Sequence, residues 1–149
     1  MKKTPNAQRP TPNIEWGGAN VAETPSGDYG ARRKYDLEER LLNFTASVVR
    51  LADSLPNTKA GNHIAGQLLR CGTSPLANHG EVEAAESRKD FLHKLRICLK
   101  ELRETWRWLR LIRRLELTQS DQLRAALTEV EELIRIFAAS VRTTEKNAK

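Results

Sequence analysis

Glu86, Asp90 and His93 stand four and three residues apart, so one face of a helix would offer two carboxylates and an imidazole. A face of that kind can hold metal. A di-iron bundle, however, needs such a motif on two helices plus a carboxylate from each of the others, all projecting inward. No second copy of the motif occurs, and Asp90 has a simpler use as a helix cap, in the S-x-x-[DE] spacing it forms with Ser87. His79 and Glu81 make an H-x-E, but no P-C-x-x-C follows, which in practice excludes a zinc deaminase. His63 stands alone. There is no phosphate-cradling glycine loop and no nucleophile paired with a base. No catalytic, metal-binding or cofactor-binding residue is therefore assigned, and the chain is not read as an enzyme.

The chemistry that the spacing does support is electrostatic. Lys89, His93, Arg96, Lys100, Arg103, Arg107, Arg110 and Arg114 follow one another by alternating steps of four and three, which lines them along one flank of a helix. Of these side chains, His93 alone is normally uncharged at neutral pH. Between Ser87 and Leu117 ten Lys or Arg stand against four Asp or Glu, a net of +6, and the whole chain is also +6, so the remainder sums to zero. A row of cations suits the phosphate backbone of RNA or DNA. No base-reading motif of the usual families is present, so contact with backbone or shape is expected rather than sequence readout. The candidate nucleic-acid-binding residues are Lys89, Arg96, Lys100, Arg103, Arg107, Arg110 and Arg114. The alternative is that these arginines pair with Glu129, Glu131 and Glu132 of the next helix, or with a neighbouring subunit's carboxylates. Such surface pairs contribute little each, and the charge excess argues that not all of them form.

The element that must position this flank runs from Ser87 to Leu117, about 30 residues, a rod of roughly 45 Å. Its core side is Phe91, Leu95, Cys98, Leu102, Leu109 and Ile112, widened by Leu92, Leu99 and Trp106. A third face holds Ile97, Trp108, Leu111 and Leu115, roughly opposite the flank and interrupted by Glu101 and Glu104. A helix that is apolar on more than its core side usually meets a second partner, so these four are the candidate oligomer interface. Trp108 and Leu115 could instead pack beneath the next loop, and the same patch could dock a different protein. Arg113 falls near the core stripe; either the helix has left the bundle there or the side chain snorkels out.

The other helices follow from the same periodicity. The first begins near Asp36, with Glu39 as capping-box partner, and buries Leu37, Leu41, Phe44, Val48, Leu51 and Leu55 before Pro56 and Asn57 stop it. The second starts near Thr58 with Ile64, Leu68 and Cys71 on one face. At Gly72-Thr73-Ser74-Pro75 it either kinks or restarts, and a kinked continuation to about Ala85 is favoured. The fourth starts between Thr118 and Ser120 and repeats Leu123, Leu127, Val130, Ile134, Phe137 and Val141. Four long amphipathic segments with short connections predict an all-α, antiparallel up-down four-helix bundle over residues 35–143. Residues 1–34 hold four of the six prolines and four of the eight glycines, which predicts a disordered or loosely attached N-terminal tail with a basic end at Arg32, Arg33 and Lys34. Trp16 within it is isolated, and residues 144–149 are expected to fray.

Composition narrows the setting. One domain is the natural reading of 149 residues. The basic balance favours an anionic partner, and nucleic acid over membrane, because no amphipathic terminal anchor, signal peptide or membrane-spanning run is visible. Cys71 and Cys98 lie on apolar helical faces, as buried free thiols of a reducing cytoplasm would.

The run QLLRCGTSPLANHGEVEAAESRKDFLHKLRICLKELRETWRWLRLI closely resembles the four-helix-bundle proteins encoded in intervening sequences of bacterial 23S rRNA genes. The likeness covers about Tyr35 to Val141. Its most specific pieces are QLLR with T-S and A-N, from Gln67 to Asn78, and S-x-x-DF…KL…LKE-x-x-E-x-x-x-WL, from Ser87 to Leu109. The resemblance implies a bundle that assembles as a homopentamer, a barrel of five. A relative within this fold is the accessory variability determinant of diversity-generating retroelements, a basic pentamer that binds nucleic acid and a reverse transcriptase. A reverse-transcriptase partner is thus implied for this chain by fold alone. The chain departs from many members at Pro75, where a β-branched residue is common, and in its long N-terminal tail. The family brings no catalytic residues. The resulting expectation is a non-catalytic, cytoplasmic, homo-oligomeric accessory protein that binds nucleic acid through the third helix. The alternative is a homo-oligomeric scaffold with no nucleic-acid role.

Overall fold

The computed structural model describes residues 29–147, with side chains from Leu37 onward. They form four helices: α1 (Tyr29–Ser54), α2 (Lys59–Glu83), α3 (Arg88–Arg114) and α4 (Asp121–Lys146). No strand occurs among them. Each helix packs on its neighbours in the chain and α4 closes the ring against α1. With connections of a few residues this is the expected antiparallel up-down bundle.

Caps mark three of the starts. Thr58 accepts from the Gly61 N–H at 3.0 Å, Ser87 from Asp90 at 3.1 Å and Ser120 from Leu123 at 3.3 Å, each satisfying one of the free donors of a first turn. The Asp90 carboxylate reaches back to the Glu86 N–H at 3.4 Å, one residue before the cap, so the Ser87–Asp90 spacing acts as a displaced capping box. α3 stops in a Schellman motif: the Leu117 N–H bonds the Ile112 carbonyl at 3.2 Å and the Glu116 N–H that of Arg113 at 3.1 Å. Glu116 is the left-handed residue this motif requires, at φ 53°.

Inside, Leu41, Val48 and Leu51 of α1 meet Leu68 and Cys71 of α2, Leu102, Leu109 and Ile112 of α3, and Leu123, Val130, Leu133 and Phe137 of α4 in one continuous core. Truncating one of these to Ala, Leu102 for example, would cost about 2–5 kcal/mol in transfer and cavity terms. Ile97, Phe91, Leu92, Trp106 and Trp108 are half-buried at its margin. Thr105 is fully buried and fills the α3 turn between Leu102 and Leu109, its hydroxyl returned to the Glu101 carbonyl at 2.8 Å.

Several boundaries differ from the sequence reading. α1 begins at Tyr29, so Asp36 lies within the helix and is not its cap. The residues after Gly30 are good helix formers and nothing among them breaks the pattern. The Arg32-Arg33-Lys34 side chains, Trp16 and the tail before Tyr29 lie outside what is described. α2 runs unbroken through Pro75 and ends at Glu83. The proline has no N–H for the Cys71 carbonyl, yet it is buried, and the same stretch is tied down by Thr73 Oγ1 to the Leu69 carbonyl at 2.7 Å. Gly72 is buried because α1 crosses there: a Cβ on it would stand 2.5 Å from Val48 Cγ1. α4 continues past Arg142 to Lys146, its last turn held by the Arg88 guanidinium on the Thr144 carbonyl at 2.6 Å. In α4 Leu133 joins Leu123, Val130 and Phe137 as a fully buried residue, while Ile134 beside it is half-buried.

Candidate nucleic-acid interface

The α3 periodicity places Lys89, His93, Arg96, Lys100, Arg103, Arg107, Arg110 and Arg114 together, all exposed, along the side of the helix that adjoins α4. Three α4 carboxylates near the middle of this row have other partners. Glu129 pairs with Arg40 of α1, Nε to Oε1 at 2.9 Å and Nη2 to Oε2 at 3.1 Å. Glu131 accepts from the Trp106 indole N–H at 3.1 Å, and Glu132 pairs with Arg135 on its own helix. Glu101 and Glu104 of α3 turn the other way, to Arg70 of α2, with the Glu101 carboxylate 3.8 Å from that guanidinium and Glu104 closer. The alternative in which Glu129, Glu131 and Glu132 pair with the flank is thus not what the bundle does.

Among the flank residues, Arg96 does form an ion pair, with Glu145 at 2.5 Å, both side chains remaining about half exposed. Lys89, Lys100, Arg103, Arg107, Arg110 and Arg114 pair with no carboxylate among the described residues. Arg107 returns to its own helix at the Arg103 carbonyl, 3.3 Å away, and the Arg110 guanidinium lies 4.4 Å over the Trp106 ring, a cation–π contact. Glu101 and Glu104 of α3 thus face α2 and the flank bases face α4 and solvent, while Lys94, off the flank, reaches Asp90 of α3 and Glu81 of α2.

Beside this row is a cleft of about 310 Å³ between α3 and α4, lined by Arg103, Trp106, Arg107, Glu131, Ile134 and Arg135. Periodicity assigns Trp106 and Ile134 to the core faces, and in the bundle both are half-buried at its edge, where Arg135 joins them. The signal that points to the site is the triplet Arg103, Trp106, Arg107 within one turn of a basic helix.

The third face divides. Ile97 and Trp108 are half-buried. The Trp108 ring meets His63 of α2 edge-on at 6.2 Å, and its N–H lies 3.5 Å from Glu104. Leu111 and Leu115 are 37% and 50% exposed and stand open at the end of α3.

The residues considered for metal chemistry do not converge. Asp90 is held by its capping contacts and by Lys94 at 3.1 Å, while His93 is exposed. His79 is buried with its ring edge-on to Phe137 at 6.1 Å. Among the described residues no three His, Cys, Asp or Glu side chains gather as a metal site. Cys71 and Cys98 are free and buried. Burial pushes the Cys71 thiol up to about 11 and the Cys98 thiol to about 12, against a slight lowering from the Thr105 hydrogen bond at the former. They are core side chains, not nucleophiles. No helix of the described residues is long and apolar enough to cross a membrane.

Fold and surface together define a small four-helix bundle with a cationic row along one helix. The chain belongs to the 23S rRNA-intervening sequence protein family, whose model matches residues 33–139, the whole of α2 and α3 included. It is similar to a crystal structure of a protein of unknown function from the S23 ribosomal protein family of Bacteroides thetaiotaomicron. That likeness has a TM-score of 0.65 and 34% identity, over 70% of this chain and 97% of that one. No match is found among curated proteins. Neither the family's description nor that relative's carries a catalytic activity.

Proposed function

We propose that this protein is a non-catalytic, self-assembling accessory protein that binds RNA or DNA through the phosphate backbone, along the exposed flank of α3. The observation that carries the reading is charge left over: Lys89, Lys100, Arg103, Arg107, Arg110 and Arg114 point outward without a carboxylate partner among the described residues. Each cation brought to a phosphate releases counterions, so affinity falls steeply with salt. The assembly proposed is the homopentamer that the family resemblance implies, which would repeat the flank five times around a barrel. An RNA-processing system or a reverse transcriptase is the proposed setting, by likeness of fold to the retroelement accessory protein.

The test is fluorescence anisotropy of purified protein with labelled RNA and DNA, single-stranded and duplex, at several salt concentrations. Binding with a steep salt slope, abolished by Arg103→Glu, Arg107→Glu and Arg110→Glu together, supports the reading. Absence of binding at low salt, or binding untouched by the triple reversal, overturns it. A second reading, a scaffold that docks another protein, is favoured by the open Leu111 and Leu115 pair.

A further inference from the structure

The α3–α4 cleft has walls that a phosphate row alone does not need. Trp106 is held in a fixed pose there, its N–H on Glu131 at 3.1 Å and the Arg110 guanidinium 4.4 Å over its ring. Ile134 supplies a second apolar surface, and Arg103, Arg107 and Arg135 supply three cations at the rim. We propose that this cleft takes one unstacked base of a single-stranded nucleic acid against Trp106 and Ile134, with the flanking phosphates on Arg103, Arg107 and Arg135. This rests on the reading of the α3 flank as a nucleic-acid surface and names the form of nucleic acid it prefers.

Each wall matches a part of a nucleotide. The apolar side chains suit the flat face of a heterocycle, and base–aromatic stacking beside a charged groove is how single strands are held without sequence preference. The Glu131 carboxylate gives one acceptor site to Trp106 and keeps others, which suit a base N–H. An acidic peptide would satisfy the arginines but would leave the ring and Ile134 unused. A duplex keeps its bases stacked on one another and would bring the cleft phosphates alone. The three features coincide in a single-stranded segment.

The experiment compares, by anisotropy with the full chain at fixed salt, a labelled single strand of about 12 nucleotides, a duplex of equal length, and an abasic sugar–phosphate chain of equal charge. The wild-type protein is expected to bind the base-bearing strand roughly tenfold more tightly than the abasic chain. Trp106→Leu is expected to lose roughly tenfold on the single strand and much less on the duplex, and Trp106→Phe to keep most of the single-strand affinity. Equal wild-type affinity for base-bearing and abasic chains overturns the inference while leaving the flank reading intact, and it needs no folded variant. An equal loss on duplex and single strand with Trp106→Leu overturns it too, as does a polyglutamate peptide that displaces the strand as well as an unlabelled strand does. Failure of all three nucleic-acid probes to bind overturns the flank reading and this inference with it.

Discussion

Arg40 and Glu129 join α1 to α4 through two parallel hydrogen bonds of 2.9 and 3.1 Å, on the α1 side of α4, two residues along the helix from the Glu131 that faces α3. The pair closes the ring of helices at the seam where first and last elements meet. The side chains are 30% and 32% exposed, so the pair is neither dry nor fully solvated.

A partly buried bidentate pair should contribute more than a surface contact. Arg40→Met is expected to lower stability by about 1 kcal/mol, and a double-mutant cycle with Glu129→Gln to return a coupling energy of about the same size. Urea unfolding followed by circular dichroism checks it. A coupling energy near zero would show that the seam holds by apolar contacts alone.

Glu116 is the left-handed residue of the Schellman motif that ends α3, at φ 53°. Side chains other than glycine and asparagine are strained there, and a carboxylate also sits badly beside the negative end of a helix dipole. Glu116→Gly is expected to raise stability by about 1 kcal/mol, after the extra freedom glycine gives the unfolded chain is set against the relief. That corresponds to a rise in Tm of roughly 3–5 °C, read by thermal melting. A fall would mean that the Glu116 side chain makes a stabilising contact that outweighs the backbone strain.

The four helices, their core faces and the α3 flank were legible in the sequence because each is periodic, and a period of 3.6 residues survives without any knowledge of the neighbours. What was not legible depends on contact between elements. Gly72 reads as a helix breaker, and in the bundle it is the point where Val48 of α1 comes too close for a Cβ. Trp106 has the phase of a core residue, yet it becomes a wall of the cleft because α4 brings Glu131, Ile134 and Arg135 to meet it. Glu129 pairs with Arg40 of α1, remote in sequence, because it lies on the side of α4 that meets α1 and not α3. The end of α3 was misplaced by a few residues because the left-handed position is filled by glutamate, where a sequence reading looks for glycine.

The thiols give a pH prediction. Both start from an ordinary value of 9.0, and burial raises Cys71 to about 11 and Cys98 to about 12 in the folded protein. A raised folded value means that the native state keeps its proton where the unfolded chain has lost it. The stability so contributed is complete below pH 9 and is lost progressively as pH rises toward 11 and 12. At pH 8 an aromatic disulfide reagent should label the native protein only as fast as it unfolds, and urea should accelerate labelling of both residues. Rapid labelling of either cysteine in the native protein would show a local opening between α2 and α3.

Leu111 and Leu115 separate self-assembly from the binding of a different protein. They are open, while their companion on that face, Trp108, is already packed against His63, so charge can be placed on the two leucines with little effect on the bundle itself. If the protein self-assembles through this face as proposed, Leu111→Glu with Leu115→Glu is expected to convert the oligomer to monomer by light scattering, with the monomer's helical content intact. The monomer should also bind nucleic acid with a shallower salt slope than the assembly, because fewer flanks act together on one strand. An oligomer that survives both substitutions would move the subunit contact off this end of α3 and leave the two leucines to a foreign partner. A monomer with an unchanged slope would mean that one flank makes all the phosphate contacts, and that assembly serves a purpose other than gathering charge.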